Sequence, residues 1–504
     1  MRLAALGGAA GLGLGSTRAA AATAQRTTTE APPRTLIRGA DILTMDPTLG
    51  ELSGADVILE HGRIAAVGKG LSADDAVVIE GHGMILMPGM ADGHRHIWQI
   101  ADAGRLVKTN VKEFAAGYQI WKMKWMPCAT AEDHHLAAYY GGLQAIDSGV
   151  TALLDVAHGQ HTADRALASA RGLKESGIAG WFAYQVSNRI GWGPGDSLPL
   201  AEARAQLGSF TTDDHWEIVA RLQEEVLSDP DGLLRLGIAL SVGSKGQPLA
   251  RVAEQEFGRA RAMGIGIITH HANPGPTDIP PGYFGHRGLG LFDLHEAGLL
   301  GPDFHCSHGV TATDEELKLM AETGVMLGAT AIAETFPSRP LARRDPAHGR
   351  ARAFGVRTGI GTDTPLSLTQ DYFEHIRASF LSLFLDPESE AIANRYHSPD
   401  MLEFATRGGY DAIRLGDIGG SIAVGRRADL VLLGTDRPGF PTAGTLADRV
   451  VNFAARTDVD SVWVAGRLLK SGGAMVGIDW RALNARIAAM QARIEAAMET
   501  ITFT

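Results

Sequence analysis

The sequence is poor in cysteine, in aromatic residues and in positive charge. Cys128 and Cys306 are the two cysteines in 504 residues, which excludes a disulfide framework and a cysteine-based zinc site but leaves one disulfide between them open. Aromatic residues make up 6% of the chain, and 46 Lys and Arg residues face 57 Asp and Glu residues, giving a net charge of −11. Because the chain has no excess of basic residues, we do not expect nucleic acid or an anionic membrane surface as a partner.

The composition is otherwise that of a large globular protein. Hydrophobic residues account for 45% of the chain and charged residues for 20%, which excludes intrinsic disorder as the main state. Glycine supplies 62 residues, about 12% against a usual ~7%. Because this glycine has no repeat period, it indicates many tight turns.

The N-terminal segment predicts a secreted protein. Arg2 precedes an Ala/Gly-rich run that ends in Ala22-Thr23-Ala24 before Gln25, which is typical of a signal peptide over residues 1–24. The run is too short and too rich in glycine to span a bilayer. We expect a linker over residues 25–34 and a periplasmic or secreted location. The alternative is an uncleaved Ala-rich leader on a cytoplasmic protein.

Short strand patterns occur near both ends of the chain. Turn signals separate them, and their apolar residues alternate. They cover residues 36–38, 55–59, 63–67, 77–79, 84–87, 429–433, 459–464 and 467–469. We predict one small β-sandwich domain, formed by residues 35–88 and 416–475 and split by an insertion; two unrelated β-appendages are the alternative. Apolar residues at helical spacing predict a C-terminal helix within residues 476–504.

The insertion, residues 89–415, alternates strand-like and helix-like segments. With the run before His94, the candidate strands give eight β/α units. The remaining strands are predicted at residues 149–155, 178–184, 234–240, 265–269, 304–307, 325–328 and 356–361. This number fits an α/β fold of the (β/α)₈ TIM-barrel type better than an open sheet.

Histidines stand where the first predicted barrel strand ends. His94 and His96 are two positions apart, so on a strand both imidazoles face the same side. A His-x-His pair is a weak signal alone, but this one directly follows an apolar run and Pro88-Gly89. The carboxyl ends of barrel strands are where such folds place their chemistry. The pair therefore predicts two ligands for one metal ion.

Three further strand ends carry side chains that bind metals. The fifth ends in His270 and His271, the sixth contains His305 and His308, and the eighth ends at Asp363. Imidazoles with one carboxylate suit Zn²⁺, with Fe²⁺ or another divalent transition metal as the alternative. Each residue alone has a structural explanation, as a core histidine or a helix cap. Their joint occurrence at strand ends favours a metal site.

These patterns resemble the amidohydrolase superfamily, in particular its branch of cytosine and guanine deaminases and triazine hydrolases. The resemblance covers nearly everything from residue 35 to about residue 477. It implies a TIM barrel beside a β-sandwich made from both chain ends. The motifs that carry it are Met87-Pro88-Gly89-Met90-Ala91-Asp92-Gly93-His94-Arg95-His96, Gly359-Ile360-Gly361-Thr362-Asp363 and Gly419-Gly420-Ser421-Ile422-Ala423-Val424-Gly425-Arg426-Arg427-Ala428-Asp429-Leu430.

The resemblance implies a role for each of five residues. His94, His96, His270 and Asp363 become metal ligands, and Asp363 also carries the proton. His270 is preferred to its neighbour because the family places the ligand three residues before an acidic position. His308 is preferred on the sixth strand, six residues before the acidic start of the next helix, and becomes a catalytic residue that contacts the substrate or bound water. Because no lysine stands convincingly at the end of the fourth strand, a two-metal site with a carboxylated lysine is not expected.

One position departs from the family pattern. Deaminases of this branch carry Glu three residues after the fifth-strand ligand, and this chain has Asn273. An amide has no titrating proton near neutral pH, so Asn273 can orient a substrate but cannot act as the acid. Substitute acids would be His271 or Glu334, although both have ordinary structural explanations. The departure makes deamination of an aromatic ring less expected than the family alone would suggest.

We therefore predict a metal-dependent hydrolase that cleaves an amide, a lactam or a related non-peptide C–N bond of a small molecule. Metal-activated water would attack carbon, Asp363 would return the proton to the leaving nitrogen, and His308 would stabilise the oxyanion. Trp98 and His158, close to strand ends, are candidate substrate contacts together with Asn273. The alternatives are a deaminase or dechlorinase of an N-heterocycle and a non-catalytic binding protein. By analogy with the family, a homo-oligomer is an option.

Overall fold

Eight parallel strands form a nearly closed barrel, as the sequence predicted. The computed structural model describes residues 34–105, 111–187, 189–241, 249–271, 290–309, 312–334, 347–384 and 394–504. The barrel strands are neighbours in space in the order that they have in the chain. Numbered one to eight, they are Met90–Arg95, Val150–Ala157, Ala179–Gln185, Leu234–Ala239, Gly266–His271, Phe304–His308, Met326–Ala329 and Thr358–Ile360.

Helices follow most barrel strands, and local sequence determines where several begin. Thr130 and Asp133 form a capping box at the start of one helix, and Thr313 and Glu316 do the same at another. Such pairs satisfy backbone N–H groups that lack a partner within the helix. The helices between the strands are Val111–Cys128, Ala131–Asp147, Ala163–Glu175, Leu200–Leu207, Asp213–Glu225, Leu249–Val252, Arg259–Met263, Leu291–Glu296, Asp314–Thr323, Ala331–Glu334 and Ala347–Ala353.

A second sheet of nine strands is built from both chain ends. The two ends meet where Leu430–Leu433 pairs antiparallel with Ile85–Pro88. Eight of its strands follow one another in space in the order Ala474–Met475, Arg467–Ser471, Val459–Val464, Leu430–Leu433, Ile85–Pro88, Arg34–Leu43, Glu51–Glu60 and Arg63–Gly68. The ninth strand, Val77–Glu80, pairs with Arg34–Leu43.

Successive side chains in this sheet pack into two different cores, and one of these cores includes the barrel. Leu430 and Leu432 pack in a separate small core with Leu86, whereas Val431 and Leu433 join the large core that includes the barrel. Successive side chains of a strand point to opposite faces. One face of the sheet is therefore shared with the barrel and helps to fix its first strand, which begins two residues after Ile85–Pro88.

Further helices surround the barrel after its eighth strand. They are Tyr372–Ser382, Ser398–Ala405, Arg407–Ala412, Leu446–Phe453 and Trp480–Glu499. After the last one, Thr502–Phe503 pairs with Ser197–Leu198. Within the described ranges no helix combines the length and the apolar character needed to cross a membrane. Cys128 and Cys306 are both buried and unbonded to each other, so the disulfide that the sequence left open is absent.

Candidate metal centre

The barrel closes at the residues that the sequence predicts as ligands. A single parallel bridge joins Arg95 to Asp363. The His96 N–H donates to the Asp363 carbonyl at 3.0 Å, and the Asp363 N–H donates to the His94 carbonyl at 2.9 Å. Strands one and eight approach so closely here that a Cβ on Gly361 would lie 2.6 Å from the His94 nitrogen. We call this junction of strands one and eight the seam.

Asp92 links the two strands of the seam through its side chain. Its Oδ1 accepts from the Thr362 N–H at 3.0 Å and its Oδ2 accepts from the Thr362 hydroxyl at 2.7 Å. It also accepts a longer bond, 3.3 Å, from the His94 N–H, and Arg95 Nη1 donates to it at 3.3 Å. The residue is fully buried. Since Thr362 precedes Asp363, this carboxylate fixes the backbone on both sides of the candidate ligands.

The structure brings together five predicted side chains above the seam. Asp363 Oδ1 lies 3.6 Å from His94 Nε2 and 3.4 Å from His96 Nε2. His270 Nε2 lies 3.2 Å from His96 Nε2, and the His308 ring centre lies 4.7 Å from that of His94. Two sets of three ligand atoms, one from His94, His96 and Asp363 and one from His94, His270 and His308, each lie within 4.8 Å of one another.

Hydrogen bonds to Nδ1 orient two of the imidazoles. His96 Nδ1 donates to the Val156 carbonyl at 2.8 Å, which leaves Nε2 as the acceptor atom facing Asp363. His308 Nδ1 lies 2.8 Å from the Thr330 hydroxyl. Partners of this kind fix the tautomer and ring orientation of metal-binding histidines. In the described part of the chain neither ring nitrogen of the fully buried His94 has a hydrogen-bond partner.

The electrostatics of the cluster favour neutral rings on His94 and His270 beside an ionised Asp363. Burial lowers the pKa of His94 and of His270 well below the usual range, and the neighbouring imidazoles act in the same direction. Burial acts to raise the pKa of Asp363, but the field of His308 and the approach of His94 and His96 hold that pKa well below its usual range. Neutral imidazoles and an ionised carboxylate are the protonation states that bind a metal ion.

Two residues of the cluster have strained backbones. His308 has a φ of 73° and Asp363 a φ of 69°, the left-handed region that costs a non-glycine residue about 1–2 kcal/mol. Such strain is held in place by surrounding structure and is typical of functional sites. Here it turns both side chains at the point where their strands end.

The donor set fits a divalent transition-metal ion. Three to four imidazoles and one carboxylate are the ligands that zinc and iron prefer. A buried His94 with two nitrogens lacking hydrogen-bond partners would be costly in an apolar interior, and a bound cation would satisfy one of them. The residues whose ligand atoms lie close enough to hold such an ion are His94, His96, His270, His308 and Asp363.

The two predicted aromatic contacts occupy different positions. The His158 ring centre lies 4.0 Å from that of His96, so His158 borders the cluster. Trp98 is fully buried, stacks on Trp121 at 5.2 Å and meets His158 edge-on at 5.5 Å. Trp98 therefore reaches the cluster through His158 rather than directly.

Several residues that the sequence raised lie elsewhere. His305 donates from Nδ1 to the Ala412 carbonyl at 2.9 Å, away from the clustered imidazoles. Asn273 lies outside the described residues, as do the side chains of His271 and Glu334. The signal peptide predicted over residues 1–24 also lies outside them, as does nearly all of the predicted linker.

Three more residues lie beside the cluster; sequence reasoning gave no role to Asp92 or Lys122, and offered Tyr118 only as one of several large side chains that could line a pocket. Asp92 ties the seam, Tyr118 places its hydroxyl 3.3 Å from His158 Nε2, and Lys122 is a buried lysine on the same helix as Tyr118. For Asp92 a signal exists, because it precedes His94 by two positions and so shares its side of the strand. The helix residues carry no comparable signal.

The fold and the cluster define a class of metal-dependent barrel hydrolases, and comparison with known proteins gives the family. A model of the amidohydrolase family matches residues 85–469. The chain belongs to this family. It is thus a hydrolase of small molecules that acts with a divalent metal on C–N bonds other than peptide bonds, in agreement with the sequence prediction.

Relatives with assigned activities are similar over most of the chain. A 5′-deoxyadenosine deaminase of Methanosarcina acetivorans is 24% identical over 440 residues, covering 86% of this chain and 92% of that protein. A 5-methylthioadenosine/S-adenosylhomocysteine deaminase of Desulforudis audaxviator is 24% identical over 465 residues, covering 88% and 95%.

Solved structures share the fold. An adenosine deaminase from Xanthomonas campestris with bound zinc superposes with a TM-score of 0.72 at 19% identity, covering 92% of this chain and 98% of that one. Atrazine chlorohydrolase from Arthrobacter aurescens, complexed with zinc, gives a TM-score of 0.75 at 20% identity, covering 90% and 99%.

Proposed function

We propose that the chain is a zinc-dependent hydrolase that cleaves an amide, lactam or related C–N bond of a small molecule. The observation that carries this is the cluster of His94, His96, His270, His308 and Asp363, whose ligand atoms lie close enough to hold an ion. Both ring nitrogens of His94 lack a hydrogen-bond partner in the described part of the chain. Within this cluster we propose His94, His96, His270 and Asp363 as the ligands. Zinc in two structures of the same fold supports the choice of ion. When bound, such an ion supplies an activated water and polarises a carbonyl group.

The chain's own residues would perform the proton transfers. Asp363, ionised and next to two imidazoles, accepts a proton from the attacking water and returns it to the leaving nitrogen. His308, held through Nδ1 by Thr330, presents Nε2 to negative charge developing on the carbonyl oxygen, an interaction typically worth about 3–4 kcal/mol. This sequence of steps needs no second carboxylic acid, which agrees with the amide at Asn273.

A second candidate is hydrolytic deamination of an adenine nucleoside. The two relatives described above are deaminases of 5′-deoxyadenosine and of 5-methylthioadenosine/S-adenosylhomocysteine. Against it stands Asn273, which cannot protonate a ring nitrogen. We therefore place amide and lactam hydrolysis first.

Metal analysis and one substrate panel test the proposal. We expect about one zinc ion per chain, loss of turnover in His96→Ala, and hydrolysis of simple amides or lactams faster than ammonia release from adenine nucleosides. His82→Ala, a change at an exposed histidine in the turn after strand Val77–Glu80, is the matched control. Full turnover by the metal-free enzyme would overturn the metal-dependent mechanism, and deamination alone would establish the second candidate.

The export prediction belongs to the same proposal. We propose that residues 1–24 are removed and that the mature enzyme acts in the periplasm or outside the cell. N-terminal sequencing of the protein from its native host should begin at Gln25. A mature protein that retains Arg2 would make it cytoplasmic.

A further inference from the structure

One lysine beside the candidate metal centre has no charge partner among the described residues. Lys122 lies on helix Val111–Cys128 and is 9% exposed. In the described part of the chain it has no ion pair or hydrogen bond, and burial lowers its pKa to about 7. An ammonium group removed from water without a partner is costly.

The other buried lysine and arginine residues of the described ranges are paired. Lys470, which is also buried, has its Nζ 2.8 Å from Asp147 Oδ1. Arg350 lies 3.0 Å from Asp314, and Arg95 contacts Asp92. This chain therefore usually supplies a carboxylate to a buried cation, and Lys122 departs from that pattern.

The position of Lys122 relates it to the metal centre. Tyr118 is one helical turn earlier and shares its face of the helix; its hydroxyl lies 3.3 Å from His158 Nε2 and accepts from Gln99 Nε2 at 2.8 Å. The pKa of His158 is lowered by burial first, and then by His96 and by the charge of Lys122. The ammonium group therefore acts on the same imidazole whose ring centre lies 4.0 Å from that of His96.

We propose that Lys122 binds a carboxylate of the substrate, so that the enzyme acts on small amides or lactams that carry one negative charge near the scissile bond. This inference rests on the hydrolytic function proposed above. The single positive charge of Lys122 matches a single carboxylate. The net charge of the chain, −11, would not attract a polyanion. A carboxylate placed beside Lys122 would supply the partner that the described part of the chain does not.

The test compares substrates of nearly the same shape that differ in charge, each measured with the wild type and with the variants. Acetamidobenzoates and the corresponding nitroacetanilides form such pairs, and only the former carry a carboxylate. We expect Lys122→Met to lower kcat/KM for acetamidobenzoates by at least about tenfold, mainly through KM, and so to reverse or remove the preference for acetamidobenzoates over nitroacetanilides. Lys124→Met, on the same helix but more exposed, is the matched control, and Lys122→Gln repeats the test if the Met variant folds poorly.

A direct binding measurement separates this inference from the proposed function. Benzoate, titrated calorimetrically into the metal-loaded enzyme, should bind the wild type and the Lys124 variant at least about tenfold more tightly than the Lys122 variants. If benzoate binding depends on Lys122 but no amide is hydrolysed, the anion site stands and the proposed reaction fails. Equal benzoate binding by all variants, or an unchanged preference between the paired substrates, would overturn the role of Lys122.

Discussion

The two sides of the candidate metal centre are built from opposite charges. At the seam, the Asp363 carboxylate lies between imidazoles and holds an ionised state. On the side of helix Val111–Cys128, the buried Lys122 has no carboxylate partner among the described residues. The seam is thus prepared for a cation and the helix side for an anion. The comparison indicates that each side is completed by a different component of the reaction, the metal ion and the substrate.

The two sides also differ in how they are held. Main-chain hydrogen bonds and Asp92 fix the seam, so that the ligand positions follow from the closure of the barrel. The helix side is held by ring packing, in which Trp98 stacks on Trp121 and contacts His158. Strand pairing gives precise positions for metal ligands, whereas packed side chains on a helix can differ between related enzymes without disturbing the barrel.

Among the substitutions that test this difference between the two sides, Asp92→Asn should have the largest effect, a loss of metal affinity. The substitution replaces one acceptor by an amide NH₂ group facing Thr362, which also donates. Hydrogen-bond partners of metal-binding residues typically contribute about 10–100-fold to metal affinity. We expect a loss of affinity in that range, measured by competition with a zinc chelator. Asp41→Asn, an equivalent change in the other sheet, should leave the affinity unchanged. Unaltered affinity in the Asp92 variant would show that the seam does not depend on this carboxylate.

A smaller effect is expected from Tyr118→Phe on the helix side. The change removes a hydroxyl that contacts Gln99 and His158. A neutral hydrogen bond is worth about 1 kcal/mol, or roughly fivefold, and we expect a KM increase of that order with zinc content unchanged. Tyr140→Phe, which removes a hydroxyl bonded to Asn484, is the control. A loss of zinc from the Tyr118 variant would contradict the separation of the two sides.

The smallest effect on activity is expected from Glu256→Gln, after strand four. Burial raises the pKa of Glu256 to about 7, and Ser241 donates to both of its oxygens. Because the folded state holds this proton more tightly than the unfolded chain, the contribution of Glu256 to stability is greatest at low pH. It is lost as the pH rises from about 4 to about 7 and is constant above.

Urea unfolding at about pH 5.5 and at about pH 8 tests this sign. The stability of Glu256→Gln relative to the wild type should improve toward the higher pH, by about 2 kcal/mol between these two values, with turnover unaffected. Glu254→Gln, at an exposed position, should show no such trend. A parallel pH dependence of wild type and Glu256 variant would mean that the carboxyl group ionises freely in the folded protein.

Local sequence patterns were sufficient for much of the fold. Most strands of the barrel are nearly continuous apolar runs because both of their faces are buried. In the nine-stranded sheet, successive side chains of a strand enter different cores because each face of the sheet meets a different core. The position of His94 and His96 at the end of an apolar run marked the site for the same reason. The choice of His308 over His305 came from a resemblance, since nothing local distinguishes the two histidines.

The sequence by itself determined which segments become strands and which side chains share a strand face, because these properties depend on neighbours a few residues away. The tertiary structure decided that Asp92 would meet Thr362, 270 positions further along, and that Lys122 would be enclosed beside His158. Such contacts depend on how the barrel closes and how a helix packs on it. Those are properties of the whole chain, and no short stretch of residues encodes them.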